Sequence, residues 1–287
     1  MDVTEISSAH FIGVGGAGMS GIALVLHERG CRVTGSDLKS SYYVRALEDA
    51  GIEVHIGHEA STIDAIAPEV VVISTAIPET NPELIRAREL GIPIWRRAKM
   101  LSYLSHDTVT VAVAGTHGKT TTSGMLAEAL TGAGLDPSFA IGGVVRALGT
   151  GAHVGAGRAF IAEADESDRS FLNYEPLIEV VTNVEPDHLD SYGTPEAFER
   201  AFLDFARNCL RPGGRLIVCA DDPGGARLAR AAAEWGVGVT TYGVRGPGAG
   251  EDGRLVDDAH VRVEITDRRA DGTSATLTLW SDETTGG

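Results

Sequence analysis

Lys119 and Thr120 are the residues whose types and spacing most directly suggest chemistry. They close a glycine turn, Gly115-Thr-His-Gly-Lys-Thr120, that follows an apolar run beginning at Val109. Backbone N–H groups at a helix start, joined by a lysine ammonium, suit a polyphosphate, and the Thr120 hydroxyl suits a magnesium ion. The general phosphate-loop pattern asks for a glycine where Val113 stands, so this is a shorter variant of that loop. The competing reading is a plain turn between strand and helix. Lys119-Thr120 directly after Gly118 weighs against it.

Carboxylates cluster after two further strand-like runs, in Glu163-Ala-Asp-Glu-Ser-Asp168 and in Glu185-Pro-Asp-His-Leu-Asp190. A carboxylate such as Glu163 is a hard oxygen ligand for Mg²⁺, and a neutral imidazole such as His188 can serve a second cation. For His188 the ligand and structural roles stand about even. Asp165, Glu166 and Asp168 compete with Glu163 for any metal.

A second glycine turn lies near the N-terminus, in His10-Phe-Ile-Gly-Val-Gly-Gly-Ala-Gly18. Gly13, Gly15 and Gly18 fit G-x-G-x-x-G, Gly16 adds freedom, and Asp37 ends the next strand, where a ribose-binding acid would stand. Tight packing of the turn is the alternative.

These groups need elements to hold them. Alternating strand and helix patterns predict an α/β chain with parallel sheets: helices over 42–50, 82–90, 195–209 and 226–235, and strands over 52–56, 70–75, 178–184, 215–220 and 239–242. Val70-Val-Val-Ile73 is a continuous apolar run, as a strand covered on both faces would be. Arg96, Arg97 and Lys99 form a local basic cluster read as a solvated helix start, and a boundary near His106 separates residues 1–106 from 107–287. Gly149 to Gly157 is expected to be a mobile loop or loose hairpin. Val261, Val263 and Ile265, then Ala275, Leu277 and Leu279, alternate with polar residues and predict a β-hairpin with one buried face, after a polar connection over 246–258. Ser281 to Gly287 reads as loop.

Length is enough for two domains, and the 40 acidic against 24 basic residues, net charge -16, argue against nucleic acid or an anionic membrane surface as main partner. Three cysteines without C-x-x-C spacing imply reduced core thiols and a cytosolic setting, and no apolar run is long enough to insert in a bilayer. Oligomeric state is left open.

Together, Gly13-Val-Gly-Gly-Ala-Gly-Met-Ser-Gly-Ile-Ala23, Gly35-Ser-Asp37, Gly115-Thr-His-Gly-Lys-Thr-Thr-Thr122, Glu163-Ala-Asp-Glu-Ser-Asp168 and Asn183-Val-Glu-Pro-Asp-His-Leu-Asp190 resemble the Mur ligases of bacterial peptidoglycan synthesis, most closely their alanine-adding branch. The resemblance implies a Rossmann-like first domain that binds UDP-N-acetylmuramate through Gly13, Gly15, Gly16, Gly18 and Asp37. It implies a P-loop-type central domain that binds ATP through Gly115, Thr116, His117, Gly118, Lys119, Thr120 and Thr121. Lys119, Glu163 and His188 would be catalytic, with Thr120, Glu163 and His188 holding Mg²⁺. The sugar's lactyl carboxylate would attack the γ-phosphate, and L-alanine would displace phosphate from the acyl phosphate. The family continues into a third domain that helps bind the amino acid, so the chain is expected to be a fragment that does not ligate alone. A ligase that recycles whole peptides and an NAD(P)-dependent oxidoreductase built on Gly13 to Asp37 are the alternatives.

Overall fold

The computed structural model describes residues 6–106, 108–167, 169–245, 260–269 and 272–279. The chain divides into two compact units, Met1–Thr110 with Thr120–Ala164 and Asn173–Glu175, and Val111–Lys119 with Asp165–Leu172 and Pro176–Gly287.

The first unit opens with β1 (Ser8–Ile12), α1 (Ala17–Glu28), β2 (Arg32–Asp37), α2 (Tyr42–Asp49), β3 (Glu53–Ile56), α3 (Ala60–Ile66), β4 (Val70–Ile73), α4 (Pro82–Glu89), β5 (Ile94–Arg96) and α5 (Arg97–Ser105). The strands form a parallel sheet in the order β3-β2-β1-β4-β5. The chain reverses its winding between β1 and β4, and ligands of such sheets gather at the carboxyl ends of the strands there. The predicted apolar run is β4, buried along its whole length. Ile12, Ile63, Val71, Ile73, Leu84 and Ala87 pack as one core cluster.

Helix starts follow local chemistry. The Ser41 hydroxyl accepts from the Val44 N–H at the head of α2, and Asn81 Oδ1 accepts from the Glu83 and Leu84 N–H groups at the head of α4, with Pro82 in the first turn. Arg97 does open a helix, as the basic cluster predicts. Arg96 is exposed, whereas Arg97 is only partly so.

After β6 (Val109–Ala114) comes α6 (Lys119–Gly132), then β7 (Ser138–Val145), β8 (Thr150–His153) and β9 (Ala159–Glu163). Ala127 of α6 packs with Phe139, Ile141, Val145 and Ile161. Of the two forms expected for the glycine-rich stretch, the hairpin is the one present: β8 pairs antiparallel with β7. Asp136 ties the far side down, accepting from the Ala156 N–H at 2.7 Å and facing His153 Nε2 at 2.9 Å. Glycine there permits close approach: a Cβ on Gly151 would lie 2.5 Å from Gly143 O.

After a 3₁₀ turn (Ser170–Asn173), the second unit holds β10 (Ile178–Val181), α7 (Leu189–Tyr192), α8 (Pro195–Asn208), β11 (Arg215–Cys219), α9 (Pro223–Glu234), β12 (Gly238–Arg245), β13 (Val261–Arg269) and β14 (Gly272–Leu279). Strands β6, β10, β11, β12 and β13 run parallel in that spatial order, and β14 closes the edge antiparallel. The aromatic face of α8 is core: Phe198, Phe202 and Phe205 are fully buried, and Phe171 meets the rings of Phe202 and Phe205 at 5.2 and 4.8 Å. Helix α9 begins three residues earlier than its apolar pattern suggests, because Asp222 accepts from the Gly225 N–H and Pro223 fits the first turn.

The terminal hairpin forms, but its expected buried face does not. Leu277 and Leu279 are 60% and 67% exposed, so among the described residues alternation there reports strand pairing without a covering layer. The connection over 246–258 and the segment 281–287 lie outside the described residues. Cys31, Cys209 and Cys219 are free thiols, and among the described residues no helix is long and apolar enough to cross a membrane.

Candidate functional site

The loop from Gly115 to Lys119 is shaped by two glycines in left-handed backbone. Gly115 has φ +132° and Gly118 φ +85°. A Cβ on Gly115 would lie 2.1 Å from Thr182 Oγ1, so only glycine fits. The segment after β10 then staples the loop. The His117 N–H donates to Asn183 Oδ1, Asn183 Nδ2 and Thr182 Oγ1 donate to His117 O, and the Thr116 hydroxyl donates to Glu185 O at 2.7 Å. Beyond it, the first N–H groups of α6 have no partner within the helix and form the positive end of its dipole.

Lys119 curls back over this loop. Its ammonium donates to Gly115 O at 2.8 Å and pairs with Glu166 at 2.8–2.9 Å. Glu166 is fully buried, and its pKa lies above the usual carboxylate range because burial outweighs the favourable Lys119 charge. The Tyr192 hydroxyl, from α7, donates to Glu166 O and fixes the carboxylate's backbone. His188 sits just before α7 with φ +50°, and its Nε2 lies 3.8 Å from both Glu166 Oε1 and Asp187 Oδ2. The predicted pair Lys119 and His188 therefore faces one buried acid, and that acid is Glu166. Asp168 lies outside the described residues.

In the first unit Thr120 and Glu163 meet as expected. The Thr120 hydroxyl donates to Glu163 Oε1 at 3.0 Å, and the Gly142 N–H donates to Oε2 at 2.9 Å. Gly142 and Gly143 let these groups approach, since a Cβ on either would lie 3.2 Å from Glu163 Oε2 and 3.0 Å from Thr120 Cγ2 respectively. A hydroxyl beside a carboxylate is a hard-oxygen donor set that fits Mg²⁺. Among the described residues no three His, Cys, Asp or Glu side chains gather around one point, so an ion there would keep waters or phosphate oxygens, as Mg²⁺ does.

The N-terminal turn is held differently. The Gly13 and Val14 N–H groups donate to Ser36 O at 2.8 and 3.0 Å, and the Gly15 N–H donates to Asp37 Oδ2 at 2.9 Å. Asp37 thus spends an oxygen on the turn itself. A Cβ on Gly15 would meet Asp37 and Val44 at 2.8 Å, and one on Gly18 would meet Arg97 Nη1 at 2.6 Å. Above the turn lies a cavity of about 370 Å³ whose lining includes Gly13, Gly16, Gly18, Asp37, His58 and Arg97. The head of α1 and the Arg97 guanidinium make this a place for an anion such as a diphosphate.

Glu166, Asn183, His58 and Arg97 take part in these sites, yet none was singled out for its role from sequence. Glu166 stood among four competing acids, and Asn183 was visible only within the motif it belongs to. Arg97 read as solvated. His58 carries no spacing signal, because it follows a strand rather than lying in a glycine motif.

Both parts of the chain have known relatives. Residues 8–108 match the family described as Mur ligase family, catalytic domain, and residues 113–278 match the Mur ligase middle domain. A UDP-N-acetylmuramate--L-alanine ligase of Mycobacterium tuberculosis is 51% identical over 242 residues, 83% of this chain and 49% of that protein. Its namesake from Mycobacterium leprae is 46% identical over 96% of this chain and 54% of its own length. The chain spans about half the length of the curated relatives it matches. Among solved structures, the UDP-N-acetylmuramate:L-alanyl-gamma-D-glutamyl-meso-diaminopimelate ligase of Neisseria meningitides superposes with TM-score 0.79 at 28% identity, covering 96% of this chain and 84% of that one. The UDP-N-acetylmuramate-alanine ligase of Thermotoga maritima gives TM-score 0.72 at 28% identity, covering 89% and 54%.

Proposed function

The chain belongs to the Mur ligase family, and on that footing we propose that it supplies the sugar-nucleotide and ATP-binding parts of a cytoplasmic UDP-N-acetylmuramate:L-alanine ligase of peptidoglycan synthesis. In this reading residues 1–106 bind UDP-N-acetylmuramate, with its diphosphate over Gly13 to Gly18, and residues 107–287 bind ATP along Gly115 to Thr121. The lactyl carboxylate attacks the γ-phosphorus, the bond to the ADP oxygen breaks, and the L-alanine amine then displaces phosphate from the acyl phosphate.

Such a transfer needs mainly positioning and charge neutralisation. Lys119 supplies the charge, exchanging Glu166 for phosphate oxygens. Burial already raises the Glu166 carboxyl above its usual range, and loss of the Lys119 partner removes an interaction that lowers it. Thr120 and Glu163 would hold one Mg²⁺ and His188 a second, which when bound neutralise the charge that develops on the transferred phosphoryl group.

The observation that carries this reading is the Gly115–Lys119 loop, glycine-shaped and lysine-bearing at a helix start. An oxidoreductase working through Gly13 to Asp37 would have no use for it. Calorimetric titration with UDP-N-acetylmuramate and with NADH, each with and without Mg-ATP, tests the choice: the sugar nucleotide binds and NADH does not. Binding of NADH alone overturns the reading. The Neisseria likeness favours a second reading, a ligase that adds a whole peptide to the same sugar nucleotide. Competition between L-alanine and a tripeptide, in a form carrying the amino-acid domain, separates the two.

A further inference from the structure

Behind the first glycine turn lies a polar cluster that the ligase reading does not use. Glu83, the second residue of α4, is fully buried, yet it is a carboxylate in a domain whose interior is otherwise largely apolar. Its Oε2 faces Ser36 Oγ at 2.5 Å, His58 Nδ1 at 3.0 Å and His10 Nε2 at 3.8 Å, while His10 Nδ1 pairs with Thr34 Oγ1 at 2.9 Å. Burial pushes the Glu83 carboxyl up, but the polar contacts from His10, Ser36 and His58 outweigh it and hold it below its usual range. The head of α4 adds a favourable dipole. Burying an ionised carboxylate costs free energy that an apolar side chain of the same size would not.

Hydrogen-bond arithmetic fixes where one proton sits. An ionised carboxylate only accepts, so the single hydroxyl proton of Ser36 points at Glu83. His58 Nδ1 lies 3.0 Å from both Glu83 Oε2 and Ser36 Oγ, and thus faces two oxygens that offer it only lone pairs. Nδ1 must carry a hydrogen. His58 also lines the cavity above the glycine turn, with its side chain 9% exposed. Since Nδ1 is engaged inward, Nε2 is the ring's remaining polar atom for a ligand.

We propose that Glu83 is a positioning residue: it holds His58 as the Nδ1–H tautomer, so that Nε2 offers a lone pair to an N–H or O–H of the nucleoside part of a bound sugar nucleotide. A lone pair repels phosphate oxygens. Diphosphate recognition therefore falls to the glycine turn and Arg97, while His58 reads the nucleoside. The proposal rests on the sugar-nucleotide reading of this cavity.

Two measurements on the full chain test it. Nitrogen-15 NMR of the histidine rings at pH 8 is expected to show His58 protonated at Nδ1 and bare at Nε2, against the tautomer preferred in water; a predominantly Nε2–H ring overturns the assignment. This spectrum needs no variant, so misfolding of a mutant does not blunt it. Calorimetry with UDP-N-acetylmuramate on the wild type, Glu83→Gln, His58→Ala and the double variant then reads the coupling. Each single change is expected to weaken binding about tenfold, and the double variant no more than His58→Ala alone. Equal weakening by Glu83→Gln in the presence and absence of His58 would make Glu83 merely structural and overturn the proposal. If the wild type binds no sugar nucleotide, the functional reading fails and takes the nucleoside contact with it, while the ring spectrum still decides whether Glu83 sets the tautomer.

Discussion

The chain carries two glycine turns at the ends of parallel strands, and they are built on opposite plans. At Gly13–Gly18 a side-chain carboxylate, Asp37, accepts a turn N–H, and a cavity with Arg97 on its wall stands beside it. At Gly115–Lys119 the loop is held by Thr182, Asn183 and Glu185, and its cation is occupied by the buried Glu166. The first keeps its shape by using an anion where an anion is expected to bind; the second holds its cation against a buried carboxylate. Similar glycine spacing thus hides different electrostatics. What a turn binds depends on which side chains close over it.

The most severe way to break the contrast is Lys119→Ala. In a form carrying all the domains of the relatives, ATP-dependent phosphate release should fall at least about a thousandfold, because Lys119 is the ammonium seated on the glycine loop. Retained turnover would put the lysine outside the reaction. Gly115→Ala attacks the loop's shape instead. With φ +132° and Thr182 Oγ1 2.1 Å from the added carbon, thermal or denaturant unfolding should show a loss of about 2–4 kcal/mol.

A smaller effect, of opposite sign, is expected one strand away. Glu179 on β10 is fully buried, and among the described residues neither oxygen has a hydrogen-bond partner; burial raises its pKa well above the ordinary value. The folded state therefore binds a proton more readily than the unfolded chain. Glu179 weighs on stability progressively as pH rises above the usual carboxylate range toward its folded pKa, and not below it. Glu179→Met should raise stability by about 1–3 kcal/mol at pH 8, with a gain that shrinks toward pH 4. Denaturant titrations at the two pH values decide it, and a gain independent of pH would show that the carboxyl is not the cause.

Asp37→Ala sharpens the comparison from the other turn with the smallest effect. Loss of the Gly15 bond should cost about 1 kcal/mol, and Asp37→Asn, which keeps an acceptor, should restore most of it. A fall in sugar-nucleotide affinity with Asp37→Asn at unchanged stability would show that the carboxylate faces the ligand as well.

Much of this was legible in the chain. β-branched runs such as Val70-Val-Val-Ile73, the aromatic spacing of Phe198, Phe202 and Phe205, and glycines ahead of helices each report local conformation and one-sided burial directly. Short elements were not. Helix α3 has seven residues and a single buried one, Ile63, so it leaves no periodic trace. The hairpin at Val261 to Leu279 showed the right alternation without the burial that alternation usually implies, because pairing needs only backbone groups whereas burial needs a partner surface.

By itself the sequence determined the α/β alternation and the two glycine turns, and it set carboxylates and a histidine after two later strands without choosing among them. Those features depend on residue type and near neighbours: backbone freedom at glycine, β-branching in strands, capping at helix starts. Only the tertiary structure decided which carboxylate meets which cation. Glu163 and Glu166 are three residues apart, yet one accepts the Thr120 hydroxyl and the other is buried against Lys119, while Glu83 lies 47 residues from the Ser36 it bonds. A carboxylate's role is set by its distance to charge and its access to water, and folding fixes both.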